Sequence, residues 1–168
     1  MEKISFDVYF MSIAFLVAQR SFDPNTKCGC VLVSKDNRIL STGYNGPIKG
    51  SDDKSIPLSR PSKYYHFIHS EINSLLAYGG SHFDIQDGKA YVTIRPCHAC
   101  LRALLQKGIK EIYYSNLINA KCVDKEDLEA QKLMLENRDV IIKEISHKDI
   151  SSLLGSSILY IDKKSKEI

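Results

Sequence analysis

The sequence predicts an α/β chain, a three-layer α-β-α sandwich around a mixed, mostly five-stranded sheet. Two observations predict it. Short apolar runs of strand length recur between stretches whose apolar residues repeat every three or four positions, and from residue 69 onward the two kinds alternate. Strands joined through helices run parallel, whereas a pair joined by a tight turn runs antiparallel, so the sheet must be mixed.

The first element is a helix. Ile4, Val8, Met11, Phe15, Val17 and Ala18 fall among Asp7, Gln19 and Arg20, which makes it amphipathic. Its apolar part is interrupted too early to span a bilayer. No cationic leader or small-residue cleavage site frames it, so a cytoplasmic protein with no membrane contact is expected. Asp23-Pro24-Asn25-Thr26 is a turn. A strand over 28–34, built on Val31-Leu32-Val33, then turns at Lys35-Asp36-Asn37 into a second strand over 38–42, forming a hairpin. From Gly43-Tyr44-Asn45-Gly46-Pro47 to Lys63 the composition shifts to Ser, Asp, Lys and Pro, a long surface loop of the kind that usually carries function.

The alternating part follows. Ile72, Leu75 and Leu76 set a helix over 69–78, stopped by Gly79-Gly80. After it come a strand over 89–94, a helix over 97–107 ended by Gly108, a strand over 111–115, a helix over 125–136 and a strand over 140–145. A short helix near 151–154 and an extended stretch over 158–161 complete the reading. A length of 168 residues suffices for one full core and is too short for two ordinary ones, so residues 1–168 are expected to form a single domain.

Composition narrows the function. With 43% hydrophobic and 26% charged residues the chain reads as soluble and globular. A formal charge of +3, without a dense Lys/Arg stripe, argues against stable binding to a nucleic-acid backbone and suits a small anionic ligand. The five cysteines would leave one over in a disulfide framework, so reduced thiols available to a metal are the better reading. Cys28 and Cys30 are expected to pack in the sheet.

The chemistry sits at two helix starts. His69-Ser70-Glu71 opens one helix, and Pro96-Cys97-His98-Ala99-Cys100 opens the next after an intervening strand. Cys97 and Cys100 share a helix face, and the nearby N–H dipoles favour their thiolates. His69, Cys97 and Cys100 as ligands leave the fourth position of a tetrahedral Zn²⁺ open, as catalytic rather than structural sites do. Glu71 is then placed to move protons. This His-x-Glu and Pro-Cys-x-x-Cys signature is the mark of the zinc nucleobase deaminases.

Further blocks make the chain resemble the deoxycytidylate deaminase family from about residue 20 to residue 145. They are Arg20-Ser21-x-Asp23-Pro24-Asn25-x-Lys27-x-Gly29, Gly43-Tyr44-Asn45-Gly46, Ser51-Asp52-Asp53 and Gly108-Ile109-Lys110-Glu111. The resemblance implies a cytidine-deaminase-type fold and hydrolysis of dCMP to dUMP and ammonia by zinc-bound hydroxide, with Glu71 as general acid and base. It further implies that Asn45 hydrogen-bonds the sugar and that Arg20, Ser21 and Lys27 receive the 5′-phosphate. Control by dCTP as activator and dTTP as inhibitor is implied too, through Tyr44, Asn45, Gly46 and Lys49, with Mg²⁺ beside a bound triphosphate. A homo-oligomer, a hexamer, is implied as the assembly. Departures include Ser70 where the family usually has alanine, and Asn116-Leu117-Ile118-Asn119 where relatives often carry a tyrosine near the substrate.

Two rivals share parts of this pattern. A deaminase of dCTP or of single-stranded nucleic acid would use the same zinc chemistry, and the aromatic run Tyr64-Tyr65-His66-Phe67 suits base stacking. A non-catalytic zinc module would hold two helix starts together, but Glu71 and the lack of a fourth ligand in the motif argue against it.

Overall fold

The computed structural model describes residues 3–52, 54–115, 123–146 and residue 150. Helix α1 (Phe6–Ala18) begins at Ser5, whose hydroxyl accepts the N–H of Val8 at 3.2 Å. Strand β1 (Gly29–Val33) pairs antiparallel with β2 (Ile39–Tyr44) across a turn in which Asn37 takes a φ of 64°. The two-residue strand β3 (Gly46–Pro47) pairs antiparallel with β4 (Phe67–Ile68). The stretch expected as a plain loop is therefore an excursion clasped at its base by this small ladder, with a 3-10 turn at Ser62–Tyr65 just before its return.

Next come α2 (Ser70–Ala77), the single turn α3 (His82–Ile85) and β5 (Lys89–Val92). The chain continues with α4 (His98–Gln106), β6 (Glu111–Tyr114), α5 (Lys125–Leu135) and β7 (Ile141–Glu144). The turn α3 was absent from the sequence reading. It rests on the Ser81 hydroxyl accepting the Phe83 N–H, and four residues are too few to show a helical period. The expected helix near 151–154 and the extended stretch over 158–161 lie outside the described residues.

The sheet order is β2-β1-β5-β6-β7, antiparallel from β2 through β5 and parallel from β5 to β7. This is the mixed five-stranded sheet the sequence predicts. Helix α1 covers one face. Its Phe10, Met11, Ala14 and Phe15 pack on Val31, Val33, Tyr91 and Tyr113. On the other face Cys30, Leu32, Ala90, Val92 and Ile112 meet Leu101, Leu104 and Leu75 of α4 and α2, with Met134 and Leu135 of α5. Both faces are buried, which explains why β1 is apolar at every position past its glycine rather than alternating. Each large side chain so buried contributes about 1.5–3 kcal/mol.

Two glycines set how closely the layers approach. A Cβ on Gly29 would lie 2.1 Å from the Ala14 carbonyl oxygen of α1. On Gly43 it would lie 2.3 Å from the Ser74 nitrogen and 2.4 Å from the Ser70 oxygen of α2. The Ser41 hydroxyl donates to the Ser74 carbonyl at 2.5 Å, and the Asn73 amide donates to the Tyr44 carbonyl at 2.7 Å, tying α2 onto β2. These contacts fix the helix that opens with His69 and Glu71.

Candidate functional site

His69 and Cys97 are the N-cap residues of α2 and α4. Their extended backbones (ψ 153° and 166°) turn the chain into each helix, and neither side chain caps its own helix. Both are thus free to reach elsewhere, and they reach one point. His69 Nδ1 lies 3.6 Å from Cys97 Sγ and 3.3 Å from Cys100 Sγ, with all three ligand atoms within 4.8 Å of one another. Tetrahedral zinc with nitrogen at about 2.0–2.1 Å and sulfur at about 2.3 Å would separate N from S by about 3.5 Å. The donor set fits the ion in chemistry and in spacing. Among the described residues these three form the only such group.

Electrostatics prepare the thiols. Cys97 is lowered to about 4, first by its hydrogen bond with the Cys100 thiol and also by His69, while burial opposes the shift. Cys100 is pushed up by the same bond to Cys97, by burial and by the Glu71 charge. Metal ligation requires both thiols as thiolates, so binding Zn²⁺ would release protons. The hydrogen bond with Cys97 raises His69 against the opposing effect of its burial.

Glu71, in the first turn of α2, is 5% exposed and accepts the Ser70 hydroxyl at 2.9 Å. Burial raises its carboxyl above the ordinary range, partly offset by His69. A carboxyl so shifted can give and take a proton nearer neutrality. Beneath it the Ser74 hydroxyl donates to the Glu71 carbonyl at 2.7 Å and contacts Cys30 Sγ at 3.3 Å. Burial pushes the Cys30 thiol up as well.

His69, Cys97 and Glu71 border a cavity of about 350 Å³, near the lower end of small-molecule sites. Phe67, Val92 and Ile94 give it apolar wall, and Asp23, Asn45 and Lys63 a polar one. Asp23 is fully buried. One of its oxygens accepts the N–H groups of Asn25 and Thr26; the other accepts Lys63 Nζ at 2.5 Å and Asn45 Nδ2 at 3.2 Å. Asn45 also donates to the Thr26 carbonyl and accepts the Cys28 N–H at 2.7 Å. Both its donors are used, leaving one lone pair on Oδ1.

Helix α5 supports the metal turn from behind. Asp127 accepts the His98 N–H and bonds its Nδ1 at 2.9 Å, and Gln131 donates to the Pro96 carbonyl and to Asp127. Burial would raise Asp127, but the backbone N–H and ring of His98 and the Gln131 amide outweigh it and hold the carboxyl below its ordinary value.

Of the residues singled out from sequence, His69, Glu71, Cys97 and Asn45 line the cavity, and Cys100 joins the triad. Arg20 is exposed and Lys27 half-buried, and neither lines it. Ser21 is buried, its hydroxyl accepting the Asp23 N–H at 3.3 Å. Of the expected effector residues, Asn45 lines the cavity, Tyr44 and Lys49 are exposed, and Gly46 sits in β3. A second cavity of about 340 Å³ is lined by Ile48, Ser51, Asp52, Ser55, Tyr65 and His66 among others. Cys28 precedes β1 and lines the first cavity instead of packing inside the sheet. Sequence reasoning gave no role to Arg60, Lys63 or Arg95, all of which line it. Lys63 meets Asp23 across 40 residues, a separation no local pattern marks.

An open three-ligand metal triad beside a buried carboxyl, at the edge of a cavity, defines a metal-assisted hydrolase. Comparison with known proteins gives the particular kind. The family model for the cytidine and deoxycytidylate deaminase zinc-binding region matches residues 4–116. The Homo sapiens deoxycytidylate deaminase is 32% identical over 146 residues, covering 83% of this chain and 79% of the relative. ComE operon protein 2 of Bacillus subtilis is 34% identical over 119 residues, covering 68% and 61%. The dCMP deaminase of cyanophage S-TIM5, solved with dCMP and dUMP, shares the fold at a TM-score of 0.68 and 23% identity, covering 86% of this chain and all of that one. The chain belongs to the cytidine and deoxycytidylate deaminase family and is a zinc-dependent hydrolytic deaminase.

Proposed function

We propose that this chain hydrolyses dCMP to dUMP and ammonia, with His69, Cys97 and Cys100 holding Zn²⁺ and Glu71 moving the protons. The observation that carries the reading is the buried Glu71 carboxyl beside the three convergent ligand atoms at the cavity edge. The names of the relatives support dCMP as substrate. Zinc, when bound, makes water a stronger acid and polarises what it touches. Glu71 accepts one proton of the attacking water and passes it to N3 of cytosine. It then takes the proton of the hydroxyl now on C4 and delivers it to the amine as the C4–N bond breaks and the carbonyl forms. Phe67, Val92 and Ile94 cover the base and exclude bulk water, and the remaining Asn45 lone pair accepts a sugar hydroxyl.

The finer parts of the reading are control by dCTP and dTTP with Mg²⁺ on the triphosphate, assembly as a homo-hexamer and a cytoplasmic location. The family-like Gly43-Tyr44-Asn45-Gly46 motif supports the first, and exposed Tyr65 and Phe83 suit subunit contacts. No helix among the described residues is long and apolar enough to cross a membrane. The test is ammonia release from equal concentrations of dCMP, dCTP, deoxycytidine and a cytosine oligonucleotide, using zinc-loaded protein with and without added effector. Preference for dCMP is expected. Turnover of the oligonucleotide alone would overturn the substrate, and a rate indifferent to both effectors would overturn the regulation.

A further inference from the structure

Three cations line the cavity, and they are not equivalent. Lys63 is neutralised by Asp23, and both are buried. Arg60 is exposed, its guanidinium 5.6 Å above the Tyr64 ring. Arg95 is half-buried, two residues before Cys97, and among the described residues it has no carboxylate partner. Its Nε donates to Gln131 Oε1 at 3.1 Å and its Nη1 to the Tyr114 hydroxyl at 3.0 Å, while the guanidinium lies 5.2 Å from the centre of the Tyr114 ring.

Both named partners are neutral acceptors, so they orient the guanidinium without cancelling its charge. Gln131 is itself fixed, 1% exposed and donating to Pro96 and Asp127. Arginine carries five N–H donors, and these two bonds leave the Nη2 edge and one Nη1 hydrogen without a partner among the described residues. A pinned, partly desolvated fork with free donors is complementary to a phosphate monoester, and its prior fixation lowers the entropy lost on binding.

We infer that Arg95 is the specificity-determining residue that receives the 5′-phosphate of the substrate, so that the cavity selects a nucleotide over the corresponding nucleoside. Arg20 and Lys27, expected from the resemblance to receive the phosphate, lie off the cavity wall. The inference rests on the deaminase reading above and adds the group by which the substrate is chosen.

The experiment compares kcat/KM for dCMP and deoxycytidine in zinc-loaded wild type, Arg95→Met and Arg95→Lys. In Arg95→Met the preference for dCMP over deoxycytidine falls about 10- to 100-fold, the size of one charge-assisted hydrogen bond, and the loss appears mainly in KM. Arg95→Lys, a cation without the fork, returns part of it. A parallel fall on both substrates would overturn the inference, because Arg95 would then only brace the Pro96 turn. Calorimetric binding of dUMP and deoxyuridine needs no turnover and separates the two readings. If wild type deaminates no cytosine compound, the deaminase reading falls. An advantage of dUMP over deoxyuridine that vanishes in Arg95→Met still upholds the phosphate contact, and equal weakening of both ligands overturns it.

Discussion

The two ends of the cavity are built in opposite ways. At the metal end the chemistry comes from two short motifs, each at the start of a helix, and the three ligand atoms converge because two N-cap side chains leave their own helices uncapped. At the polar end Asp23, Asn45 and Lys63 come from three separate stretches and form a closed hydrogen-bonded set. The metal end has function concentrated in few atoms and depends on a cation to hold them together. The polar end is held by the protein alone, so a substitution there should register first as lost stability.

Substitutions can break this comparison or sharpen it. The largest effect belongs to the ligands: Cys100→Ala should abolish zinc retention, read by metal analysis, and turnover with it. Glu71→Gln should keep zinc while lowering kcat by about 10²- to 10⁴-fold, the range of general acid–base catalysis. Loss of zinc in that variant would assign Glu71 to the metal shell. Lys63→Met should destabilise the zinc-loaded protein by about 3–5 kcal/mol in denaturant unfolding, because it strands the Asp23 charge in the interior. Adding Asp23→Asn to it should recover part of that loss, and no recovery would show that the charge is not what matters.

The smallest effect concerns the support behind the metal turn. Asp127 is held below the ordinary carboxylate value of about 3.8, so its contribution is complete above that value and disappears as pH falls through the lower folded value. Asp127→Asn should therefore flatten the acid limb of the stability–pH curve. It should also cost about 1.5–3 kcal/mol at neutral pH, as the loss of hydrogen bonds to a charged group does. An unchanged acid limb would remove Asp127 from the account.

The same contrast explains what was legible in the sequence. The hairpin, the alternating strands and helices, and the metal motif announce themselves within windows of a few residues, because turn chemistry, periodicity and ligand spacing are local. The ladder of Gly46–Pro47 with Phe67–Ile68 was hidden, since two residues per strand give no alternation and the partners lie on either side of the long excursion. Lys63 and Arg95 were hidden too. A lysine before an aromatic run and an arginine before a proline look like ordinary surface cations until the fold brings each to the cavity. Arg20 and Lys27 show the converse, since cations in a family-like motif can lie away from the cavity wall.

Gly43 bears on whether such a centre can be transplanted. Copying His69, Glu71, Cys97 and Cys100 onto another α/β scaffold would reproduce the donor atoms but not the depth at which they sit. Here the strand backbone passes so close to Ser70 and Ser74 that a single methyl group would intrude on the first turns of α2. A host strand with any side chain at that point would lift the helix and carry the carboxyl of Glu71 away from its partners. The portable unit is therefore the helix together with the bare stretch of strand under it.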